Sequence, residues 1–363
     1  MDAPHTTRRR ASITGIGLLT PLGLTAAETW TSLLAGGCIS THAPIPLLTS
    51  RSRVSELAIL AARQALIQSG WTADDLASDD IALVVGTSKG PIESWMTPPP
   101  RPAGGRNSFG LAEMTTDIAA DLHLGTGPRL TVSAACATGI HALIRATMLI
   151  ESGLVSRVLV VAAESSLGPL FTGSFQRLGV LARDACRPFD THRTGFLMSE
   201  AAAAICLEQP ANSSKIHIEN YALGADATHL TGGDRDGVTL RHLLRTVLDS
   251  RPTDFVHAHG TGTIINDATE LAALESTLPG PCPLYSHKGA IGHSLGAAGL
   301  TAVVLNCLIH STATVPPNIR THSPLPTRLI QIKDDIVHLP NIRRSIVLAA
   351  GFGGSAGVMS LVS

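Results

Sequence analysis

The chain is short of aromatic residues, short of lysine and short of charge, and each shortage excludes a class of protein. Aromatics make up 3% of the 363 residues. A core of this size must therefore be built from Ala, Val, Leu and Ile, which suits strands covered on both faces by helices. Only four lysines (Lys89, Lys215, Lys288, Lys333) stand beside 23 arginines, and the net charge of −1 argues against a general nucleic-acid surface. Charged residues at 15% and hydrophobic residues at 44% rule out a disordered chain and supply a large core. The six cysteines (Cys38, Cys136, Cys186, Cys206, Cys282, Cys307) have no paired spacing. With no signal peptide they read as thiols of a reducing cytosol, without a disulfide framework. No Cys-x-x-Cys or His-rich spacing suggests a metal. No apolar run reaches membrane-spanning length without a Gly, Pro or polar break, and Arg8-Arg9-Arg10 reads as a solvated terminus.

What is present is an α/β pattern that occurs twice. In the first half, Ala11 to Gly17 predicts a strand, Thr25 to Ala35 and Arg53 to Ser69 helices, and Ile81 to Gly86 a buried strand. Arg157 to Ala163 and Ala201 to Leu207 predict further strands. In the second half, Lys215 to Leu223, Phe255 to Ala258 and Leu284 to Ser286 read as strands, and Leu300 to Ile309 as a helix. Ser345 to Ala350 and Gly357 to Val362 close the sheet. A small-residue turn running into a helix occurs once per half, at Gly139 and at Gly299. The division expected is residues 1–210 and 211–363. Met96 to Gly105, rich in Pro and Gly, reads as a connecting loop.

Three clusters carry chemistry. Leu130 to Ala135 leads as a strand into Cys136, and a helix begins within Ile140 to Ala146. A thiol on such a turn faces the positive end of a helix dipole, which predicts a lowered pKa and an available thiolate. The second cluster is His257-Ala258-His259-Gly260-Thr261-Gly262-Thr263, followed by Asp267 and Glu270. The third runs from Ser286-His287-Lys288 through Gly292-His293 to Gly299. Each sets a basic side chain in a Gly-rich turn beside a strand, where it can point into a shared pocket. A buried Cys among small residues is otherwise a packing residue, and a lone His a satisfied one.

Together with Gly351-Phe352-Gly353-Gly354, these runs resemble 3-oxoacyl-[acyl-carrier-protein] synthases. The match is to the elongating Cys-His-His type of condensing enzyme in the thiolase superfamily. It extends from Ile13-Thr14-Gly15-Ile16-Gly17 to Gly354 and includes Arg187-Pro188-Phe189-Asp190, Gly195-Phe196 and Asp226-Ala227-Thr228-His229. The resemblance implies a five-layered α/β/α/β/α fold of two similar halves, the first carrying Cys136 and the second both histidines and Lys288. It implies decarboxylative Claisen condensation: Cys136 takes the acyl group, and His259 and His293 stabilise the malonyl-derived enolate. Backbone N–H groups of Cys136 and Phe352 would form the oxyanion hole. Lys288 would polarise the site, paired with Glu270. Thr261 and Thr263 would meet the carrier's phosphopantetheine arm, and Asp267 is expected to be structural. Phe352, with Gly351, Gly353 and Gly354, would be a mobile gate, and Phe175 would line the acyl pocket. No cofactor is expected on the protein itself. The implied partners are acyl- and malonyl-loaded carrier protein and a second ketosynthase-like subunit, identical or not.

The pattern breaks in three places. The region between Leu34 and Val54 is shorter than usual and lacks the basic residues that meet the carrier; Arg51, Arg53, Arg63, Arg101 and Arg106 are the substitutes available. Ala356 stands where the family has Asn, so hydrogen bonds holding the gate loop are expected to be lost. Thr231-Gly232-Gly233 lacks the usual stiffening prolines. These changes suit a specialised synthase with an unusual acyl substrate or docking mode. A thiolase would need a second reactive Cys beyond Cys307, and an initiating synthase an Asn at position 293; neither is present. An inactive chain-length-factor-like partner would lack Cys136. An acyltransferase or malonyl decarboxylase using the same Cys remains as the alternative reading.

Overall fold

The computed structural model describes residues 10–49, 52–96, 110–209, 216–229 and 233–363. The first half contributes β1 (Ser12–Leu19), β2 (Ile81–Gly86), β3 (Arg129–Val132), β4 (Arg157–Glu164) and β5 (Ala201–Glu208). The second contributes β6 (Ile216–Ala225), β7 (Phe255–His257), β8 (Cys282–Tyr285), β10 (Ile330–Ile332), β12 (Arg344–Ala350) and β13 (Ser355–Val362). β9 (Thr314–Val315) and β11 (Val337–His338) form a separate two-stranded ribbon. The large sheet runs β10-β8-β7-β12-β13-β6-β1-β5-β4-β2-β3. Its halves join where β1 pairs antiparallel with β6, Ser12 opposite His217 and Ile13 opposite Ile216.

Helices cover the sheet on both faces. Between the two halves lie Thr138–Glu151, against β2 and β4 and touching β6 and β13, and Ala298–Thr312, against β1, β5 and β12. Outside the first half, Arg53–Ser69 lies across β1, β4 and β5; outside the second, Val238–Leu248 lies across β6 and β13. The order is therefore α/β/α/β/α, with a buried cluster in the middle and one beneath each outer layer. Small side chains make this possible. β5, Ala-Ala-Ala-Ala-Ile-Cys-Leu-Glu, is a run of good helix formers that becomes a strand because both faces are buried against helices. The two central helices start in contact: a Cβ on residue 299 would lie 2.8 Å from the backbone nitrogen of Ile140. One described helix, Leu295–Thr312, is long and apolar enough to cross a membrane, but 83% of that stretch is buried inside the protein.

The predicted elements appear with small shifts of their ends. Helix Thr138–Glu151 begins two residues earlier than expected, and Ala298–Thr312 extends the predicted 300–309 helix at both ends. Of the predicted 96–105 loop, Met96 closes the short helix Ile92–Met96 and the rest lies outside the described residues.

Candidate active site

The turn after β3 aims the thiol. Ala135 takes φ +48°, a left-handed conformation costly for a residue with a Cβ. Thr138 holds it there: its hydroxyl donates to the Ala135 carbonyl (2.6 Å) and accepts from the Ala134 N–H (2.8 Å). Cys136 follows, 8% exposed, at the N-terminal end of helix Thr138–Glu151. From the other half, the loop after β12 comes down over it. A Cβ at residue 351 would stand 2.9 Å from the Cys136 backbone nitrogen, so only glycine permits the approach. The Phe352 N–H then points at the Cys136 sulfur.

The His259 turn is shaped by two buried carboxylates. Glu270 accepts the N–H groups of His259 (2.6 Å) and Gly260 (2.8 Å). Asp267 accepts those of Phe189 (2.7 Å), Thr261 (3.0 Å) and Gly262 (3.1 Å). Both carboxylates are thus occupied by backbone N–H groups of this turn and its neighbours. Thr261 and Thr263 hydrogen-bond to one another at 2.9 Å.

His293 is fixed from the first half of the chain, its N–H donating to the Leu197 carbonyl (2.7 Å) while its carbonyl accepts from Ser199 (3.1 Å). Its ring lies edge-on to Phe196 at 5.0 Å and to His259 at 5.6 Å between centroids. Nδ1 of His293 is buried and meets no hydrogen-bond partner among the described residues. Cys136, His259 and His293 line one cavity of about 460 Å³, together with Thr261, Thr263, Gly351, Phe352 and Gly354. Lys288, buried directly behind His259, donates its Nζ to the His259 carbonyl.

Burial of its ionisable groups sets the electrostatics of the site. Burial, aided by the charge of Lys288, pushes His259 and His293 well below the ordinary imidazole range, so both rings are neutral at pH 7. Burial lowers Lys288 and raises Glu270, each opposed by the other's charge.

Four expectations need correction. The Cys136 thiol is not depressed: burial pushes it up to about 11, against the pull of Lys89, Lys288 and the Phe352 N–H. Lys288 and Glu270 do not form an ion pair; the carboxylate is occupied by backbone N–H groups and the ammonium by a carbonyl, and they act on each other only through charge. Arg53 is not a docking residue, because its guanidinium forks onto Glu200 (2.8 and 2.6 Å) and reaches the carbonyls of Ile45 and Leu47. Phe175 is off the cavity wall, packed behind the gate against Phe352 (6.0 Å) and Phe196 (5.6 Å).

Among the other candidates, Arg63 is exposed and paired with Asp121, while Arg51, Arg101, Arg106, Thr231 and Gly232 lie outside the described residues. Without an Asn at 356, backbone bonds hold the gate loop: Gly351 N–H to Ser355 (2.8 Å), Gly354 N–H to Gly351 (3.2 Å) and Asp226 N–H to Gly354 (2.9 Å). Gly353, at φ +80°, is the exposed member of that loop. The short 38–47 segment ties down the floor of the site, with Ile39 N–H on the Ala290 carbonyl (2.9 Å) and Ala43 N–H on that of Met198 (3.1 Å). Sequence reasoning missed Lys89 as a site neighbour. Its signal was its position, three residues past the end of buried parallel strand β2, on the side of the sheet where α/β sites collect.

Comparison with known proteins finds relatives along almost the whole chain. The family model "Beta-ketoacyl synthase, N-terminal domain" matches residues 47–212, and "Beta-ketoacyl synthase, C-terminal domain" matches 216–322. The actinorhodin polyketide putative beta-ketoacyl synthase 1 of Streptomyces coelicolor is 27% identical, over 98% of this chain and 88% of that protein. A 3-oxoacyl-[acyl-carrier-protein] synthase 2 of Synechocystis is 26% identical, over 96% and 95%. Among solved structures, the ishigamide ketosynthase/chain length factor superposes with a TM-score of 0.87 at 26% identity, covering 98% of this chain and all (100%) of that one. A type II polyketide ketosynthase in complex with its acyl-carrier protein, bound to the hexaketide, superposes with a TM-score of 0.88 at 23% identity, covering 98% and 100%. The chain belongs to the beta-ketoacyl synthase family.

Proposed function

We propose that this chain is an elongating condensing enzyme whose nucleophile is Cys136 and whose enolate is stabilised by His259 and His293. The observation that carries the reading is the meeting of one thiol and two neutral imidazoles on a single cavity, with a backbone N–H aimed at the sulfur. The Cys136 sulfur attacks the carbonyl of an acyl thioester, and its proton leaves with the carrier thiol. A malonyl thioester then takes the carrier's place and loses carbon dioxide. The negative charge moves to its thioester oxygen, where two ring N–H groups are fixed in advance. The enolate carbon attacks the acyl carbonyl, whose oxygen is received by the N–H groups of Cys136 and Phe352. Collapse expels the Cys136 thiolate, which takes up a proton, and releases a 3-oxoacyl carrier two carbons longer. A neutral imidazole keeps one ring N–H, which is the donor this work needs.

The burial of these groups strengthens each of these interactions, and Phe352 screens them from water. Lys288 orders the His259 turn through its carbonyl and adds positive charge beneath the enolate. Thr261 and Thr263 stand on the wall along which a phosphopantetheine arm enters. The exposed apolar side chains of Leu178, Ile264 and Ile265 rim that wall and suit contact with an acyl-carrier protein. The halves 1–210 and 211–363 supply the nucleophile, and the two histidines with Lys288, respectively. Strand β3 stands at the sheet edge, which supports pairing with a second ketosynthase-like subunit, identical or not.

The test is intact-protein mass after incubation with acyl-carrier thioesters, followed by malonyl-carrier protein. The expected result is an acyl adduct in the wild type, none in Cys136→Ala, and a released 3-oxo product. An adduct that never elongates would replace this reading with acyl transfer. No adduct with any donor would point to a partner subunit.

A further inference from the structure

Half-buried Lys89 has no role in the chemistry above, yet it stands at the end of the aromatic cluster that encloses Cys136. Its Nζ lies 5.1 Å from the centroid of the Phe171 ring and 5.8 Å from that of Phe175. Phe175 in turn packs on Phe352 and Phe196, and Phe196 on His293. Cys136, Phe175, Phe196 and Leu295 belong to one buried cluster, with Phe171 and Phe352 packed against it. An ammonium carries three donors. One goes to the Ser88 hydroxyl at 2.8 Å, and that hydroxyl donates onward to buried Glu164. The others meet no acceptor among the described residues, and no carboxylate pairs with Lys89 there. Its charge reaches the reacting groups: it lowers the Cys136 thiol more than Lys288 does, and it acts on His293 as well.

Neither Lys89 nor the Phe171 and Phe175 rings line the cavity as it stands, so a chain reaches the ammonium only once Phe352 moves, and a plain hydrocarbon chain would gain nothing from a cation there. We infer that Lys89 selects the acyl group, its ammonium donating to an oxygen carried on the acyl chain beyond the reacting carbonyl. The ligand chemistry is a hydrogen-bond acceptor, either a keto oxygen or a terminal carboxylate. Lys89 would then set specificity at the acylation step, with the gate Phe352 opening toward Phe175 as the chain enters.

This inference rests on acylation of Cys136 and fails separately from it. Wild type and Lys89→Met are offered equimolar hexanoyl, 5-oxohexanoyl and adipoyl carrier thioesters, and the adducts are weighed. The wild type is expected to favour an oxygenated chain over hexanoyl. Lys89→Met is expected to reduce that ratio by about ten- to a hundredfold, the range for one hydrogen bond to a charged group. Preference for 5-oxohexanoyl identifies a keto oxygen, and preference for adipoyl a carboxylate. Lys89→Gln, with its melting temperature, replaces the Met variant if that one does not fold. A wild type that prefers hexanoyl, or a ratio unchanged in the variant, overturns the inference while leaving acylation intact. Absence of every adduct overturns the condensing-enzyme reading itself.

Discussion

The turns that begin the two central helices share a backbone and differ in content. In the first half, Ala135 at φ +48° precedes Cys136 and, four residues on, Gly139; in the second, Leu295 at φ +45° precedes Gly296 and then Gly299. Gly296 is thus the counterpart of the nucleophile. The loops facing them differ. Opposite Cys136 stands the Gly351-Phe352 backbone, with space beside it that opens into the cavity. Opposite Gly296 stands Ser88, and a Cβ on residue 296 would lie 2.7 Å from its nitrogen and 2.7 Å from a Glu164 oxygen. Glu164 satisfies that turn internally, accepting from Ser88 N–H (2.9 Å), Ser166 hydroxyl (2.6 Å) and Gly296 N–H (3.3 Å). A strained turn at a helix start becomes a reactive site only where the facing loop withdraws its side chains. Where it does not, the same turn is a structural joint.

The most forceful way to break this contrast is to remove the thiol. Cys136→Ala is expected to lose acylation and elongation by a factor on the order of 10⁴ or more, with the melting temperature nearly unchanged, as read by product mass and thermal unfolding. Gly351→Ala is expected to come next. Its methyl group would push the loop off the Cys136 nitrogen and take the Phe352 N–H out of line. Loss of one such donor costs about 100- to 1,000-fold in rate. Steady-state condensation would read the effect, and a rate within a few-fold of wild type would sink the assignment of the Phe352 N–H to the oxyanion hole.

Gly296→Ala should do the reverse of Cys136→Ala. Crowding Ser88 and Glu164 in a closed turn is expected to cost about 1–3 kcal/mol, read as an earlier denaturant midpoint. An unchanged midpoint would mean that the second turn is not tightly filled, and the contrast between the halves would fall.

The sequence made one side of this comparison plain and hid the other. Cys136, His259, His293 and Lys288 are legible because each is embedded in a local run of small residues. The strands are legible because each is a short apolar stretch between turns. The amphipathic helix Val238–Leu248 was open to the same reading, since Leu243, Leu244, Val247 and Leu248 form its buried stripe. Partnerships across the fold were not legible. Arg53 looked free for a carrier protein until Glu200, distant in sequence, came to lie beneath it. Glu270 looked like a counter-ion for Lys288 until the His259 turn claimed both its oxygens. Nor could spacing show that Ser88 and Glu164 fill the second turn, because three separate segments build that contact.

The smallest effect concerns the thiol itself, where a helix terminus and burial pull in opposite directions. Burial dominates and places Cys136 at about 11. The thiol is then protonated at neutral pH, and its thiolate fraction rises about tenfold for each pH unit until that value is approached. Alkylation by iodoacetamide, followed at the Cys136 peptide to separate it from partly exposed Cys38, should rise with that slope from pH 7 to 9. Lys89→Met should slow it modestly throughout, because removing a nearby cation raises the thiol further. A rate already level at pH 7 would show that the helix terminus governs the thiol after all. A rate still rising about tenfold between pH 8 and 9, where an ordinary thiol levels off, would mean that burial governs Cys136 and that the free enzyme rests as a protonated, weakly reactive thiol.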